Sequence, residues 1–238
     1  MENQTNKQPS ADVTRIILRW SIRETMGVVM LALFLFLSAG RWDWVMGWAL
    51  VGTMALWVIA TGLVVIPRYP ELLAERLGPR KGAKTWDTAI MGFVGLGNIA
   101  RCIVAGLDVR YGWTAGMPLA FQVIGFVITV LSYVLVVWAT GSNAFFSLTV
   151  RIQQERGHAV ATGGPYRFVR HPSYFGGILI EMAVPIMLGS WWALIPGGLD
   201  AILFVIRTAL EDKTLQAELD GYQAYAERVQ YRLLPGVW

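Results

Sequence analysis

The chain has 238 residues, 55% of them hydrophobic and only 15% charged, with a mean hydropathy of +0.49. A water-soluble globular domain carries about 25% charged residues, so this composition excludes one, and it equally excludes intrinsic disorder, a coiled coil and a disulfide-stapled secreted module. The net charge of +4 is modest and speaks to membrane topology before nucleic acid; one cysteine, Cys102, and two histidines, His158 and His171, are too few for a structural zinc site, so no metal and no nucleic acid are expected.

The first 24 residues are polar and lack a small-residue cleavage site, so no signal peptide is expected and the first apolar run serves as its own insertion signal. A crossing helix needs about 20 apolar residues. Such runs fall at 25–40, 44–66, 88–107 (interrupted once by Arg101) and 117–140. The stretch 174–206 carries only Glu181 and Asp200, too long for one crossing and just long enough for two. Gly189-Ser190 offers a turn at its middle, and Pro185 and Pro196 interrupt the two arms, which predicts a short helical hairpin and six spans in all. The expected fold is all-α, a polytopic helical bundle in one membrane domain over 1–238, with N-terminal spans in 1–142 and the chemistry in 143–238.

Of the 20 Lys+Arg, Arg41 and Arg110 fall on one side of these spans and Arg101 within one, while the other 17, from Lys7 through Arg80 to Arg232, fall on the opposite side. The positive-inside rule then places both termini in the cytoplasm. Trp42, Trp44, Trp48, Trp113, Trp191 and Trp192 cluster at the far ends of spans, as an aromatic belt requires. Arg101 and Glu181 are intramembrane charges expected to pair within the bundle or snorkel.

Polar residues concentrate in two places. In the first, Gly163-Gly164-Pro165, Pro172 and Gly176-Gly177 punctuate a close-packed loop that opens a helix at or after Pro172, whose N-terminus offers free N–H groups to a ligand. Alternatively, Arg167, Arg170 and His171 anchor this loop to phospholipid headgroups. In the second, Arg207 and Glu211 stand at i and i+4, either an ordinary helix-surface ion pair or two charges that each face a ligand. Beyond them Leu215, Leu219, Tyr222, Ala226 and Val229 recur at helical spacing, predicting a C-terminal amphipathic helix on the cytoplasmic face, bent at Gly221.

The string Gly164-Pro-Tyr166-Arg-Phe-Val-Arg170-His171-Pro172-Ser-Tyr174-Phe-Gly176, followed by about 30 mostly apolar residues and then Arg207-x-x-x-Glu211-Asp212-x-x-Leu215, resembles the isoprenylcysteine carboxyl methyltransferase family, which belongs with the phospholipid methyltransferases. The ending Arg228-Val-x-Tyr-Arg232-Leu-Leu-Pro-Gly-Val-Trp238 looks like that of bacterial members, implying a bacterial inner membrane. The likeness covers about residues 143–238. It implies an integral-membrane enzyme that uses S-adenosylmethionine and releases S-adenosylhomocysteine. By the same resemblance His158, Ala159, Val160 and Ala161 contact the cofactor, with Tyr166, with His171, Pro172, Ser173 and Tyr174, and with Glu211; Gln153, or Gln154, joins them. Arg207 is implied to face the substrate carboxylate. Asp212 departs from the family's usual second glutamate.

Methyl transfer to a carboxylate needs little acid–base chemistry, because the nucleophile is already ionised; the enzyme must desolvate and aim it. Arg207, with a planar fork that stays charged, suits that task, and Tyr166 and Tyr174 offer aromatic faces to a sulfonium. The expected acceptor is an isoprenylcysteine-like or other lipophilic carboxylate arriving from the bilayer. A phospholipid amine or a small thiol is the alternative, and a transporter or non-enzymatic scaffold the reading from another class. Against a transporter, the spans 44–66 and 117–140 carry no charge to line a path.

Overall fold

The computed structural model describes residues 8–78 and 81–238. Lys7 and Arg80, and the residues 1–7 that entered the reading of the N-terminus, lie outside them. The described residues form eight helices: α1 (Gln8–Ala39), α2 (Val45–Val65), α3 (Leu72–Glu75), α4 (Thr85–Tyr111), α5 (Leu119–Gly141), α6 (Pro172–Met187), α7 (Leu194–Glu218) and α8 (Tyr222–Arg228), with no strand among them. The six long helices pack in a closed circuit, α1 on α4, α4 on α7, α7 on α6, α6 on α5, α5 on α2 and α2 back on α1.

Four stretches, Asp12–Ala39, Val45–Val65, Thr85–Tyr111 and Leu119–Gly141, are long and apolar enough to cross a bilayer, which makes the chain a polytopic helical membrane protein. Their outward faces expose Leu33, Leu37, Leu56, Leu63, Phe93, Leu131 and Val134, side chains that belong against lipid. Helix α1 begins at Gln8, ahead of the apolar run that opens at residue 25, because Arg15, Arg19 and Arg23 are compatible with helix even where they are costly in hydrocarbon. The expected hairpin is present, but its first arm, α6, has only 16 residues, about 24 Å at 1.5 Å per residue, shorter than the hydrocarbon core. Gly189, at φ +78°, makes the turn, and Ser190 donates to Asp108 of α4, so the tip of the hairpin is tied to the neighbouring helix end.

Helices approach closely where side chains are small. A Cβ on Gly125 of α5 would meet the Met187 nitrogen of α6 at 2.5 Å, so only glycine lets these two helices touch there. Apolar packing at the centre joins Leu35, Phe36, Leu50, Ala105, Val184 and Met187. Within this interior Arg101 of α4 is ion-paired with Glu181 of α6, and Asn98 donates to Glu181 at 3.2 Å and to Asp200 of α7 at 3.4 Å while its own Oδ1 accepts from Arg101 at 2.6 Å. The intramembrane charges thus gather into one polar cluster across three helices, in which Arg101 Nε alone of its guanidinium nitrogens has no partner among the described residues.

The expected amphipathic tail is broken into two pieces. Helix α7 ends at Glu218, and Gly221, at φ +79°, precedes the short α8 in a left-handed conformation. The apolar spacing read from Leu215 onward is used differently: Leu219, Tyr222 and Tyr225 are buried against Ile152 and Val160 of the loop before α6.

Candidate cofactor and acceptor site

The segment between α5 and α6 is fixed from several directions. Arg151 is buried and pairs with Glu75 at 2.9 Å and Glu155 at 2.6 Å, and the Lys84 N–H donates to the Val150 carbonyl at 3.0 Å, fastening the segment to the α3–α4 connection. Gln153 is fully buried and donates from Nε2 to the Phe145 carbonyl at 2.8 Å. Its backbone N–H donates to His158 Nδ1 at 3.2 Å, and the His158 ring stacks on Phe145 at 4.6 Å. Residues 159–161 then lie outside any helix or strand, and among the described residues their backbone N–H and C=O groups have no hydrogen-bond partner. A single 3-10 turn (Gly164–Arg167) follows, with Gly164 at φ +55° pressed so closely on Ser142 that a Cβ would collide with its hydroxyl. Pro172 then opens α6 at a position where no N–H is needed.

Asp212, whose role the sequence left open, is the hub of this assembly. It has no exposed surface, and it accepts a bidentate pair from Arg170 (Nε 2.7 Å, Nη2 2.9 Å), with further bonds from Arg232 Nε at 2.9 Å, Tyr222 Oη at 3.0 Å and Gln216 Nε2 at 2.7 Å. His171 Nε2 lies 3.2 Å from the same carboxylate. The backbone completes the join: the Arg170 N–H donates to the Tyr231 carbonyl at 3.0 Å and the His171 N–H to the Arg232 carbonyl at 2.8 Å. Burial alone would push the Asp212 carboxyl up, but the donors His171, Arg170 and Arg232 outweigh it and hold it well below the usual carboxylate range. Arg170 and His171 are therefore interior ties, not headgroup anchors.

These elements enclose a cavity of about 330 Å³. Its wall holds His158, Ala159, Val160, Ala161, Tyr166, His171, Ser173, Tyr174, Arg207 and Glu211, ten of the residues the sequence singled out; Gln153 and Pro172 lie behind the wall, and Gln154 is exposed. Arg207 and Glu211 do not pair with each other, which corrects the simpler reading of their spacing. Arg207 Nε donates to Asp87 Oδ1 at 2.7 Å and Nη2 to the Leu148 carbonyl at 2.8 Å, while Nη1 has no hydrogen-bond partner among the described residues. The guanidinium lies over the Tyr174 ring at 4.8 Å, and the Tyr174 hydroxyl donates to Glu211. One ring thus separates the cation from the carboxylate and contacts both.

The titrating groups at this surface are few. Burial, helped by the charges of Arg151 and Arg156, pulls His158 down to about 4, so its ring is neutral at physiological pH. Because Nδ1 accepts from Gln153, the proton sits on Nε2. Burial pushes the Tyr166 hydroxyl above its ordinary value.

Two acids at the heart of the site, Asp87 and Asp212, carry no signal that sequence spacing alone could have linked to Arg207 and Arg170. Asp87 stands 120 positions before Arg207 and looks like an ordinary first-turn acid of α4.

A comparison with curated proteins finds none that matches the chain. The model of the Isoprenylcysteine carboxyl methyltransferase (ICMT) family matches residues 122–217, a region running from α5 through the cavity-forming loop and the hairpin to the end of α7. The match covers less than half of the chain; over residues 122–217, which carry the hairpin and most of the cavity wall, the chain is similar to this family of methyltransferases.

Proposed function

We propose that the protein transfers a methyl group from S-adenosylmethionine to the carboxylate of a lipophilic acceptor, isoprenylcysteine-like or another, at the cytoplasmic face of a bacterial inner membrane, with both termini on that side. The observation that carries this reading is the cavity wall itself: the unused backbone groups of residues 159–161 share one enclosure with Glu211 and with the unpartnered Nη1 of Arg207. The donor set fits a nucleoside cofactor, since the backbone of residues 159–161 offers donors and acceptors to a base, Glu211 accepts from ribose hydroxyls or an amino group, and Tyr166 adds an aromatic side chain to the same wall. When bound, S-adenosylmethionine supplies an electrophilic methyl group and leaves as S-adenosylhomocysteine.

The protein's own share of the work is placement. Asp87 and the Leu148 carbonyl fix the plane of the Arg207 guanidinium, so that Nη1 meets an acceptor oxygen without a further loss of side-chain freedom. A carboxylate is ionised at neutral pH and needs no base. The histidines are consistent with that: the Nδ1 of His158 already accepts a hydrogen bond, and the Nε2 of His171 lies against Asp212. An amine or thiol acceptor, which would profit from a base, is less well served.

Calorimetric titration of the detergent-purified protein with S-adenosylmethionine tests the reading, with Glu211→Gln alongside and farnesylcysteine, a phospholipid amine and a small thiol as trial acceptors. Binding weakened in Glu211→Gln and methyl ester formed on the carboxylate are expected. A well-folded sample that binds no cofactor overturns the assignment.

A further inference from the structure

Five arginines are buried among the described residues: Arg76, Arg101, Arg151, Arg170 and Arg207. Four of them hold a buried carboxylate directly, Arg101 with Glu181, Arg151 with Glu75, Arg170 with Asp212 and Arg207 with Asp87. Arg76 holds none. It follows α3, is 8% exposed and lines the same cavity as Arg207. Its guanidinium faces the rings of Phe146 at 5.5 Å and Trp57 at 6.0 Å, and Nη1 is buried without a hydrogen-bond partner. The charges that act on it are Glu24, which attracts it, and Arg23, which repels it; these two pair with each other, and neither makes an ion pair with Arg76.

A buried guanidinium without a counter-ion is costly, and two aromatic faces offset only part of that cost. What is missing is an oxyanion. The surroundings also indicate what such an anion is attached to. Trp57 and Tyr133, which line the cavity with Arg76, line as well an apolar groove of about 720 Å³ between α2 and α5, with Leu56, Val64, Val130 and Val134 on its walls. An anion tethered to a hydrocarbon chain fills both, its oxygens at Arg76 and its chain between α2 and α5.

We propose that Arg76 is an oxyanion-binding subsite for a chain-bearing carboxylate or phosphate, separate from the position held by Arg207 and Asp87. The subsite stands on its own geometry; that its ligand enters beside the methyl acceptor, whose reacting carboxylate is held at Arg207, rests on the methyltransferase reading.

The test uses the full chain in a neutral maltoside detergent. Dodecanoate and dodecyl phosphate are the probes, dodecanol is the uncharged control and inorganic phosphate the chainless one, each titrated against wild type, Arg76→Gln and Arg76→Lys. Wild type is expected to bind both chain-bearing anions at least about tenfold more tightly than dodecanol, Arg76→Gln to lose that preference and Arg76→Lys to keep part of it, as loss of a charged hydrogen bond implies. S-adenosylmethionine affinity should be unchanged in both variants. Because Arg76 makes no ion pair among the described residues and its two ring contacts offset only part of its burial cost, the unliganded variants should melt at or above the wild-type midpoint. Equal anion binding by wild type and Arg76→Gln overturns the proposal, and so does a fall in the unliganded midpoint of both variants, which would make Arg76 a structural charge. Inorganic phosphate that displaces dodecyl phosphate at equal concentration would overturn the chain-bearing part and assign the subsite to free phosphate. Anion selectivity without any cofactor binding would sink the methyltransferase reading and leave the subsite standing.

Discussion

Arg207 and Asp87 meet with Nε 2.7 Å from Oδ1, and Asp87 Oδ2 also accepts the Val150 N–H at 2.7 Å, so one carboxylate at the start of α4 holds both the α7 arginine and the loop that lines the cavity. Both side chains are buried. Removing one partner of such a pair leaves the other charge without its counter-ion, at a cost of about 3–5 kcal/mol. Asp87→Asn keeps an acceptor for Val150 and removes only the charge. It should lower the thermal midpoint and depress turnover more than cofactor affinity, because Glu211 and residues 159–161 stay in place. Differential scanning fluorimetry and cofactor titration on the same sample check this, and an unchanged midpoint would contradict it.

Asp212 predicts a particular pH dependence. Its carboxyl is held below the ordinary range in the folded protein, so its contribution to stability is complete above the unfolded value of about 3.9 and is lost only as pH falls toward the lower folded value. The wild-type midpoint should therefore show no loss from this group between about pH 8 and pH 5. Asp212→Asn should melt lower across that whole interval, since the five side chains gathered on it, Arg170, His171, Gln216, Tyr222 and Arg232, then face a neutral amide. Recovery of the wild-type midpoint by the variant anywhere in the interval would count against the hub.

His158 behaves in the opposite sense. With its folded value near 4 and an unfolded one of about 6.5, the unfolded chain takes up the proton first, so stability falls as pH drops from about 6.5 toward 4. Replacement by Phe retains the stacking on Phe145 and should remove that portion of the slope. Melting curves of the two proteins over this interval decide the matter, and parallel slopes would show that another group is responsible.

The α5–α6 contact is sensitive to a single carbon. In Gly125→Ala the new Cβ would lie 2.5 Å from the Met187 nitrogen, and backbone cannot yield as a side-chain tip does. A loss of about 1–3 kcal/mol is expected, as for overpacked cores. Gly52→Ala, on an open helix face with nothing within 4 Å, is the control and should be neutral. Equal midpoints for both variants would refute the close approach.

The elements that periodicity and composition report were legible. Long apolar runs give α2 and α5 almost to the residue and the body of α4, whose ends at Thr85 and Tyr111 lie beyond the run 88–107, and Gly189-Ser190 marks the hairpin turn, because bilayer thickness and turn chemistry act on local sequence. The gathering of His158 to Ala161, Tyr166, Tyr174, Arg207 and Glu211 on one wall was anticipated through the resemblance, not through spacing. What spacing hid were partners distant in the chain. Asp87 reads as a helix-dipole acid and Asp212 as the lesser neighbour of Glu211, yet each anchors an arginine from another element. The bend at Gly221 was legible, but its extent was not: apolar spacing continues through Gly221, while the backbone there turns left-handed and divides the tail into two helices.

Tyr174 gives one ring two duties, a floor for the Arg207 guanidinium and a donor to Glu211. Its hydroxyl cannot follow Glu211 without tilting the surface on which Arg207 rests, since ring and hydroxyl are one rigid plane. A shift of Glu211 that carries the hydroxyl with it therefore moves the floor beneath the arginine one turn away, so the positions of these two charged groups are mechanically linked through a single side chain.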